Sequence, residues 1–465
     1  MISFENDTIA AISSGLSNSG IGIVRVSGDE AIEIVNRIFR SPSGKPLTDA
    51  ASHTIHYGNI ISGDKVLDEV LVMLMRAPHT FTREDTVEID CHGGIYVTQQ
   101  VLKTVLAAGA RAAGPGEFTQ RAFLNGRIDL AQAEAVIDII NAENDFALQS
   151  AEAQLKGSIS EKIRGLRAVL LEQIAYIEAA LDDPEHIEME GYGTALLSVV
   201  DSVSARIREL SDTFDDGRVM KDGIRTVILG KPNVGKSSLL NALLGQERAI
   251  VTDIAGTTRD ALEEKVRLGD LILNVTDTAG IRDTDDIIEK IGVEKAKEYI
   301  KDADLILFIA DASRPLSEED TDILELIRGK KRILLLNKQD LGVVTDESSF
   351  SEYFVPSSGE THIIRMSVKE HEGIDELTET IRDMFIRGQI KSNDQIYITN
   401  ERHRQLLDMA EASLSRTRDC IEAGLSEDFY TIDMMDAYAD LGLIIGEAVD
   451  DDLADEIFAK FCMGK

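Results

Sequence analysis

The rhythm of apolar and polar positions changes in three places along the chain. Up to about residue 118, short apolar runs alternate with turns: residues 20–26, 66–74 and 86–89 read as strands and residues 97–106 as a helix, an α+β pattern. Beyond Phe118 the period lengthens. Ile159, Ile163, Leu166, Leu170, Ile174, Ile177 and Leu181 recur every three or four residues, placing one apolar stripe on a long helix. Asp182-Asp183-Pro184 ends it, because proline cannot continue a helix. Leu196, Val200, Val203, Ile207, Leu210 and Phe214 predict a second helix with a polar back, as in a bundle. From about 221 the apolar runs 226–229, 271–275, 305–309 and 333–336 are separated by amphipathic helical stretches, the pattern of a sheet covered on both faces. After about 385 helical periodicity returns. The pattern predicts a multidomain α/β protein with an α/β unit inserted into a helical domain, and boundaries of 1–118, 119–220, 221–384 and 385–465.

Composition adds bounds. At 465 residues the chain exceeds one ordinary core, given about 150 residues per domain. Its 43% hydrophobic and 28% charged residues describe a globular protein, not a disordered one. No apolar run approaches the roughly 18–20 residues that span a bilayer. The first residues lack the basic flank and apolar centre of a secretory signal. Cys91, Cys420 and Cys462 are odd in number and far apart, which fits a reducing cytoplasm better than a disulfide framework. The formal net charge of −35 opposes broad nucleic-acid contact, since phosphate binding draws on lysine and arginine. A local basic surface, or a partner supplying the positive charge, stays compatible with it, and acidity also favours solubility.

The chemistry is concentrated in the α/β unit. Gly230-Lys231-Pro232-Asn233-Val234-Gly235-Lys236-Ser237 follows an apolar run and precedes a helical pattern. Strand, glycine loop and helix in that order form a phosphate cradle: backbone N–H groups face the anion, Lys236 neutralises β/γ-phosphates and Ser237 is placed for Mg²⁺. GTPase elements follow in order. Gly256-Thr257-Thr258 offers Thr258 to Mg²⁺; Asp277-Thr278-Ala279-Gly280 ends a strand near the metal and γ-phosphate; Asn337-Lys338-Gln339-Asp340 ends another; Ser367-Val368-Lys369 is placed to cap the guanine oxygen. Asp340 can accept hydrogen bonds from guanine N1–H and the 2-amino group, which adenine cannot supply. The nucleotide-contacting set expected is Asn233, Val234, Gly235, Lys236, Ser237 and Ser238, then Thr252, Asp253, Ile254, Ala255, Gly256, Thr257 and Thr258, then these strand-end residues. Many small GTPases follow the switch glycine with a glutamine that orients the attacking water. Here Ile281 stands there, and Glu289 is the acidic candidate for that task. Asn233 has two readings: its side-chain carbonyl can ligate a monovalent cation that offsets transition-state charge, or asparagine simply tolerates the loop's backbone angles.

Over nearly its full length the chain resembles the MnmE (TrmE) family of tRNA-modification GTPases. The residues that carry the likeness are Asp7-Thr8-Ile9-Ala10-Ala11, Gly22-Ile23-Val24-Arg25-Val26-Ser27-Gly28, Glu84-Asp85-Thr86-Val87-Glu88, Cys91-His92-Gly93-Gly94, the block from Pro115 to Ala135, and the ending Phe461-Cys462-Met463-Gly464-Lys465. The resemblance implies an N-terminal α+β folate-binding domain that dimerises, a discontinuous α-helical domain and an inserted Ras-like P-loop GTPase domain. It implies 5-formyltetrahydrofolate, or a related one-carbon tetrahydrofolate, bound through positions matching Arg25, Glu88, Arg127 and Lys465. It places K⁺ on the Asn233 side chain and on carbonyls of Thr252, Ile254 and Thr257, Mg²⁺ on Ser237 and Thr258, and the water-positioning role on Glu289. Hydrolysis is implied to need a transient G-domain dimer. The overall reaction implied is construction of an aminomethyl or carboxymethylaminomethyl group on C5 of wobble uridine 34 of certain tRNAs, with the flavoprotein MnmG in a heterotetramer. Arg83 departs from the family, which usually has glycine there. Cys462 is open to two readings, a functional thiol or a packing residue. A K⁺-dependent ribosome-assembly GTPase is the alternative; it shares the asparagine-bearing loop but is expected to carry an RNA-binding module after the G domain.

Overall fold

The computed structural model describes residues 7–183, 186, 189, 191–246, 263–269, 271–276, 299–354, 361–385 and 396–447. They fall into two compact units. The described residues of 1–141, 151–208 and 405–465 form one, and those of 142–150 and 209–404 form the other.

The first unit holds a sheet of strands β1 (Ile9–Ile12), β2 (Ile21–Ser27), β3 (Phe39–Arg40), β4 (Thr54–Ser62), β5 (Lys65–Met75), β6 (Thr86–His92) and β7 (Arg111–Ala112). Their order is β3-β4-β5-β6-β2-β1-β7. Alternation decides the faces. Val24 and Val26 of β2, Val70, Val72 and Leu74 of β5, and Val87, Ile89 and Cys91 of β6 are buried with the apolar sides of helices Ala31–Ile38 and Ile95–Ala107. The other face therefore receives the intervening residues. In the antiparallel register of β2 and β6, Arg25 lies directly opposite Glu88. The same unit contains helices Leu130–Asn141 and Ser158–Asp182, and the chain returns to it in helix Glu427–Ile445, which packs against Ser158–Asp182.

The second helix expected from the apolar stripe differs from the expectation. It runs Tyr192–Ser211, and Phe214 opens a separate helix, Phe214–Asp222. The break lies at Thr213, whose hydroxyl donates to the Leu210 carbonyl (2.7 Å) and accepts the Ile398 N–H (2.9 Å). A side chain competing for backbone partners in this way ends a helix where the apolar period alone would continue it.

The second unit has a sheet of order β13-β12-β11-β8-β10-β9, built from β8 (Ile224–Leu229), β9 (Glu263–Leu268), β10 (Leu271–Thr276), β11 (Leu305–Asp311), β12 (Arg332–Asn337) and β13 (Thr361–Arg365). All pairings are parallel except β9 with β10. Both faces are covered. Ile228, Leu273, Leu307, Ile309 and Leu335 pack with Leu239, Leu243, Leu377 and Ile381 on one side, and Ile306, Phe308, Leu334 and Leu336 with Leu324, Phe350 and Phe354 on the other. Parallel strands buried on both sides leave function to the loops at their carboxyl ends, and the described motifs, the phosphate loop after β8, Asn337–Asp340 at the end of β12 and Ser367–Lys369 after β13, lie there.

Candidate functional site

The phosphate loop leaves the end of β8 and enters helix Lys236–Gln246 at its first turn. Lys236 Nζ donates to the carbonyls of Gly230 (2.7 Å) and Lys231 (2.8 Å), so its ammonium is drawn across the loop it follows. Ser237 and Ser238 are exposed on the helix's opening turn, where N–H groups and dipole favour an anion. Asn233 is exposed and has φ 61°, the left-handed region that asparagine tolerates. Loop conformation thus accounts for an asparagine at this position.

One amide joins this loop to the guanine-reading loops. Asn337, 3% exposed at the end of β12, donates from Nδ2 to the Val234 carbonyl (2.7 Å) and accepts the Val368 N–H at Oδ1 (3.0 Å). Gly235 makes the approach possible. At φ 112° it lies in the left-handed half of the map, and a Cβ there would stand 2.3 Å from Asn337 Nδ2. Lys338 donates to Asp311 Oδ2 (2.8 Å), and Ser313 donates to Asp311 Oδ1 (2.6 Å). Burial would raise the Asp311 carboxyl, but the hydrogen bonds from Lys338 and Ser313 outweigh it and hold the group below its ordinary value. Asp340 accepts from Ser367 Oγ (2.8 Å), with Lys369 Nζ 3.9 Å from its other oxygen. The Asp340 carboxylate is therefore held by the very segment predicted to cap the base. Asp311 and Ser313 were not among the predicted site residues; the only signal was that Asp311 ends a buried strand in line with Asn337.

Thr252, Asp253, Ile254, Ala255, Gly256, Thr257, Thr258, Asp277, Thr278, Ala279, Gly280, Ile281 and Glu289 lie outside the described residues, as do Cys462 and Lys465. Among the described residues no cluster of three or more histidine, cysteine or acidic side chains could hold a metal. Ser237 alone of the expected Mg²⁺ ligands is described, and its place on the loop's helix fits that role.

On the other face of the N-terminal sheet, Arg25 Nε donates to Glu88 Oε1 at 2.7 Å, both side chains being less than one-fifth exposed. Two aromatic rings complete the setting. Arg25 lies 5.6 Å from the Phe118 centroid and 5.9 Å from that of Phe81, and Arg127 lies 4.9 Å from Phe81 while donating to its carbonyl (3.3 Å). Burial, and secondarily Arg83, lowers the proton affinity of Arg127. Asp90, two residues along β6, has its carboxyl pushed up by burial and then by Glu88, and its buried Oδ1 has no hydrogen-bond partner. Arg25, Glu88 and Arg127, three of the four positions that the family resemblance implies for a folate, thus lie around Phe81. Phe81 and Phe118 join them, and Phe81 had no sequence signal. The partly exposed Phe81 ring beside carboxylates and guanidinium groups can hold a flat heterocycle bearing donors and a carboxylate tail, with Phe118 buried behind it, and the orphaned Asp90 oxygen is consistent with a further donor. Arg83 has φ 61°, which explains the usual glycine, and its Nη1 reaches the Asn125 carbonyl (2.8 Å).

Beneath this site Arg121, 5% exposed, binds Asp7 (2.6 Å), Glu84 (3.1 Å) and Glu117 (3.0 Å), and Arg111 also binds Glu117 (2.6 Å). For Asp7 and Glu117 burial raises the carboxyl, but hydrogen bonds from Arg111 and Arg121 carry both below their ordinary values. Depressed carboxyls stabilise the fold fully above the unfolded value of about 4, and that stabilisation is lost as pH falls through the folded values. Arg121→Met is expected to cost about 3–5 kcal/mol, because Glu84 loses its guanidinium partner and Asp7 and Glu117 are left to share Arg111. Urea unfolding followed by circular dichroism at pH 7 checks this; a loss under about 1 kcal/mol would contradict the assignment.

A lysine-closed glycine loop at a strand end, a helix N-terminus behind it and a carboxylate fixed by the loop after the next strand define a P-loop guanine-nucleotide site. Comparison with known proteins narrows the class. The GTP-binding protein TrmE N-terminus matches residues 8–127 and the MnmE helical domain matches residues 130–462. The tRNA modification GTPase MnmE of Lachnoclostridium phytofermentans is 53% identical over 462 residues, covering 99% of this chain and 100% of that protein. Those of Clostridioides difficile and Geobacillus kaustophilus are 47% and 48% identical, again over 99% of this chain and 100% of theirs. The T. maritima FeoB G domain is 28% identical, covering 35% of this chain and 98% of that one, with a TM-score of 0.26. The chain belongs to the MnmE family of tRNA modification GTPases.

Proposed function

We propose that the chain is a K⁺-activated GTPase that acts with the flavoprotein MnmG to install an aminomethyl or carboxymethylaminomethyl group on C5 of wobble uridine 34 in certain tRNAs. The observation that carries the nucleotide half is the preassembled guanine reader, Asp340 held by Ser367 on a loop tied to the phosphate loop through Asn337. In this reading Asp340 accepts from the base, Lys236 offsets phosphate charge, Ser237 and Thr258 hold Mg²⁺, and Glu289 positions water. K⁺, held by Asn233 and the carbonyls of Thr252, Ile254 and Thr257, supplies positive charge at the transition state. A tetrahydrofolate supplies the one-carbon unit, its pterin accepting and donating at Glu88 beside Phe81, its carboxylates meeting Arg25, Arg127 and Lys465. The domain limits read from the sequence, an N-terminal homodimer, a transient G-domain dimer, a heterotetramer with MnmG and a cytoplasmic location belong to the same proposal. Among the described residues no helix is long and apolar enough to cross a membrane. The segment after the G domain falls within the match to the MnmE helical domain, residues 130–462, which favours this reading over a ribosome-assembly GTPase.

Mass spectrometry of tRNA nucleosides from cells lacking the protein tests the reading. Loss of the C5 group at wobble uridine is expected, and unchanged modification overturns it. For the cation, hydrolysis is expected to be at least about tenfold faster in KCl than in NaCl, and Asn233→Ala is expected to erase the difference. Asparagine at φ 61° also serves the backbone, so Asn233→Gly is the control. If the glycine variant keeps the KCl preference, the side chain is not the ligand.

A further inference from the structure

Helix Glu427–Ile445 is apolar on both of its sides. Its inner side, with Tyr430, Met434, Ala437, Leu441 and Ile444, is buried against helix Ser158–Asp182. Arg167 of that helix fixes the seat: its Nε donates to the Tyr438 carbonyl (3.1 Å), and its guanidinium lies 3.9 Å from the Tyr438 ring centroid. Gly442 leaves the room for it, since a Cβ there would come within 3.0 Å of Arg167 Nη2. The inner side is therefore satisfied, and the helix cannot rotate to bury the other.

The outer side shows Phe429 (51% exposed), Ile432 (62%) and Met435 (48%), three residues apart on one face, with Leu425 (43%) just before the helix begins. A helix facing water on one side carries its polar residues there, whereas one that is apolar all round is found with both sides covered. A run of large apolar side chains of this kind marks an interaction surface more often than an ordinary exterior. Charge says what kind of partner fits. The helix carries Glu427, Asp428, Asp433, Asp436 and Asp440 and no lysine or arginine. Arg416 of helix Glu401–Glu422 answers part of this, with Nε 2.7 Å from Asp433 and Nη2 3.7 Å from Asp436. The face thus has an apolar centre and an acidic rim. A second copy would set acid against acid on a chain whose net charge is already −35. A protein with an apolar centre and a lysine- or arginine-rich rim meets both requirements.

We propose that the outer face of helix Glu427–Ile445 docks a cation-rich protein subunit, with Phe429, Ile432 and Met435 at the centre of the contact and Asp428 and Asp436 against its basic rim. That this subunit is MnmG rests on the partnership proposed above. Such a subunit would also offer tRNA a positive surface beside a chain whose net charge is −35.

The test uses the full-length chain and purified MnmG of the same organism, with affinity measured by calorimetry at low and moderate salt. Ile432→Asp is expected to weaken binding at least about tenfold, and the pair Asp428→Lys with Asp436→Lys to weaken it and flatten its salt dependence. GTP hydrolysis by the chain alone stays unchanged in each, and circular dichroism confirms the helix. If the wild-type chain binds MnmG and the variants bind equally well, the docking face is wrong while the partnership stands. If the wild type does not bind MnmG, the partnership fails and the docking assignment with it. If Ile432→Asp instead changes the oligomeric state of the chain alone, the face belongs to a second copy and the proposal is overturned.

Discussion

Lys236→Ala is expected to lower kcat/KM for GTP hydrolysis by about 10²–10³-fold, the loss that follows when one preorganised charge or donor is taken from a developing anion. The geometry makes the effect specific. Lys236 Nζ is held at hydrogen-bond distance by two carbonyls of its own loop, so its charge is delivered to one place without further ordering. Alanine removes the charge and also leaves the Gly230 and Lys231 carbonyls without that donor, which loosens the loop as well as weakening its field. Lys236→Arg is expected not to rescue, because a planar guanidinium cannot reproduce a compact ammonium between those oxygens. Phosphate-release kinetics measure the loss, with circular dichroism to show that the fold survives. A fall of less than about fivefold would remove Lys236 from the mechanism.

Asp340→Asn is expected to weaken GTP binding by about 10²–10⁴-fold, from two hydrogen bonds to a charged acceptor at about 1.5–3 kcal/mol each, and to improve binding of xanthosine triphosphate. The carboxylate is an acceptor only and suits the two donors of guanine. An amide offers one acceptor and one donor, which suits the N1–H and 2-carbonyl of xanthine. Ser367 can still donate to Oδ1 of the asparagine, so the side chain keeps its orientation and the change is confined to recognition. Fluorescent-nucleotide competition with both triphosphates measures the ratio. An unchanged preference for GTP would mean that Asp340 does not face the base.

Sequence carried far in the second unit because its strands are buried on both faces. Uninterrupted apolar runs such as residues 305–309 and 333–336 have few other uses, and the motifs sit directly at their ends. Edge strands were less legible. β9 reads Glu-Glu-Lys-Val-Arg-Leu and β13 begins at Thr-His, so neither shows an apolar run, and both are strands through pairing with a neighbour. The N-terminal site depends on register. Nothing local in Arg25 or Glu88 says that they face each other sixty-three residues apart; the likeness to a family placed them together, and the β2–β6 ladder supplies the physical reason. Phe81 was invisible for the same cause, since a lone phenylalanine in a turn reads as ordinary packing. The sequence also overran one helix at Thr213, where a hydroxyl's choice of partner outweighed a continuing apolar period.

The Asn337 amide has a mechanical meaning as well as a chemical one. By gripping Val234 on one side and Val368 on the other, it makes the part that meets phosphates and the part that meets the base a single stiff jaw. A nucleotide is then measured as well as read, because base edge and phosphates must match at a fixed span. The site works as a caliper set by one buried side chain.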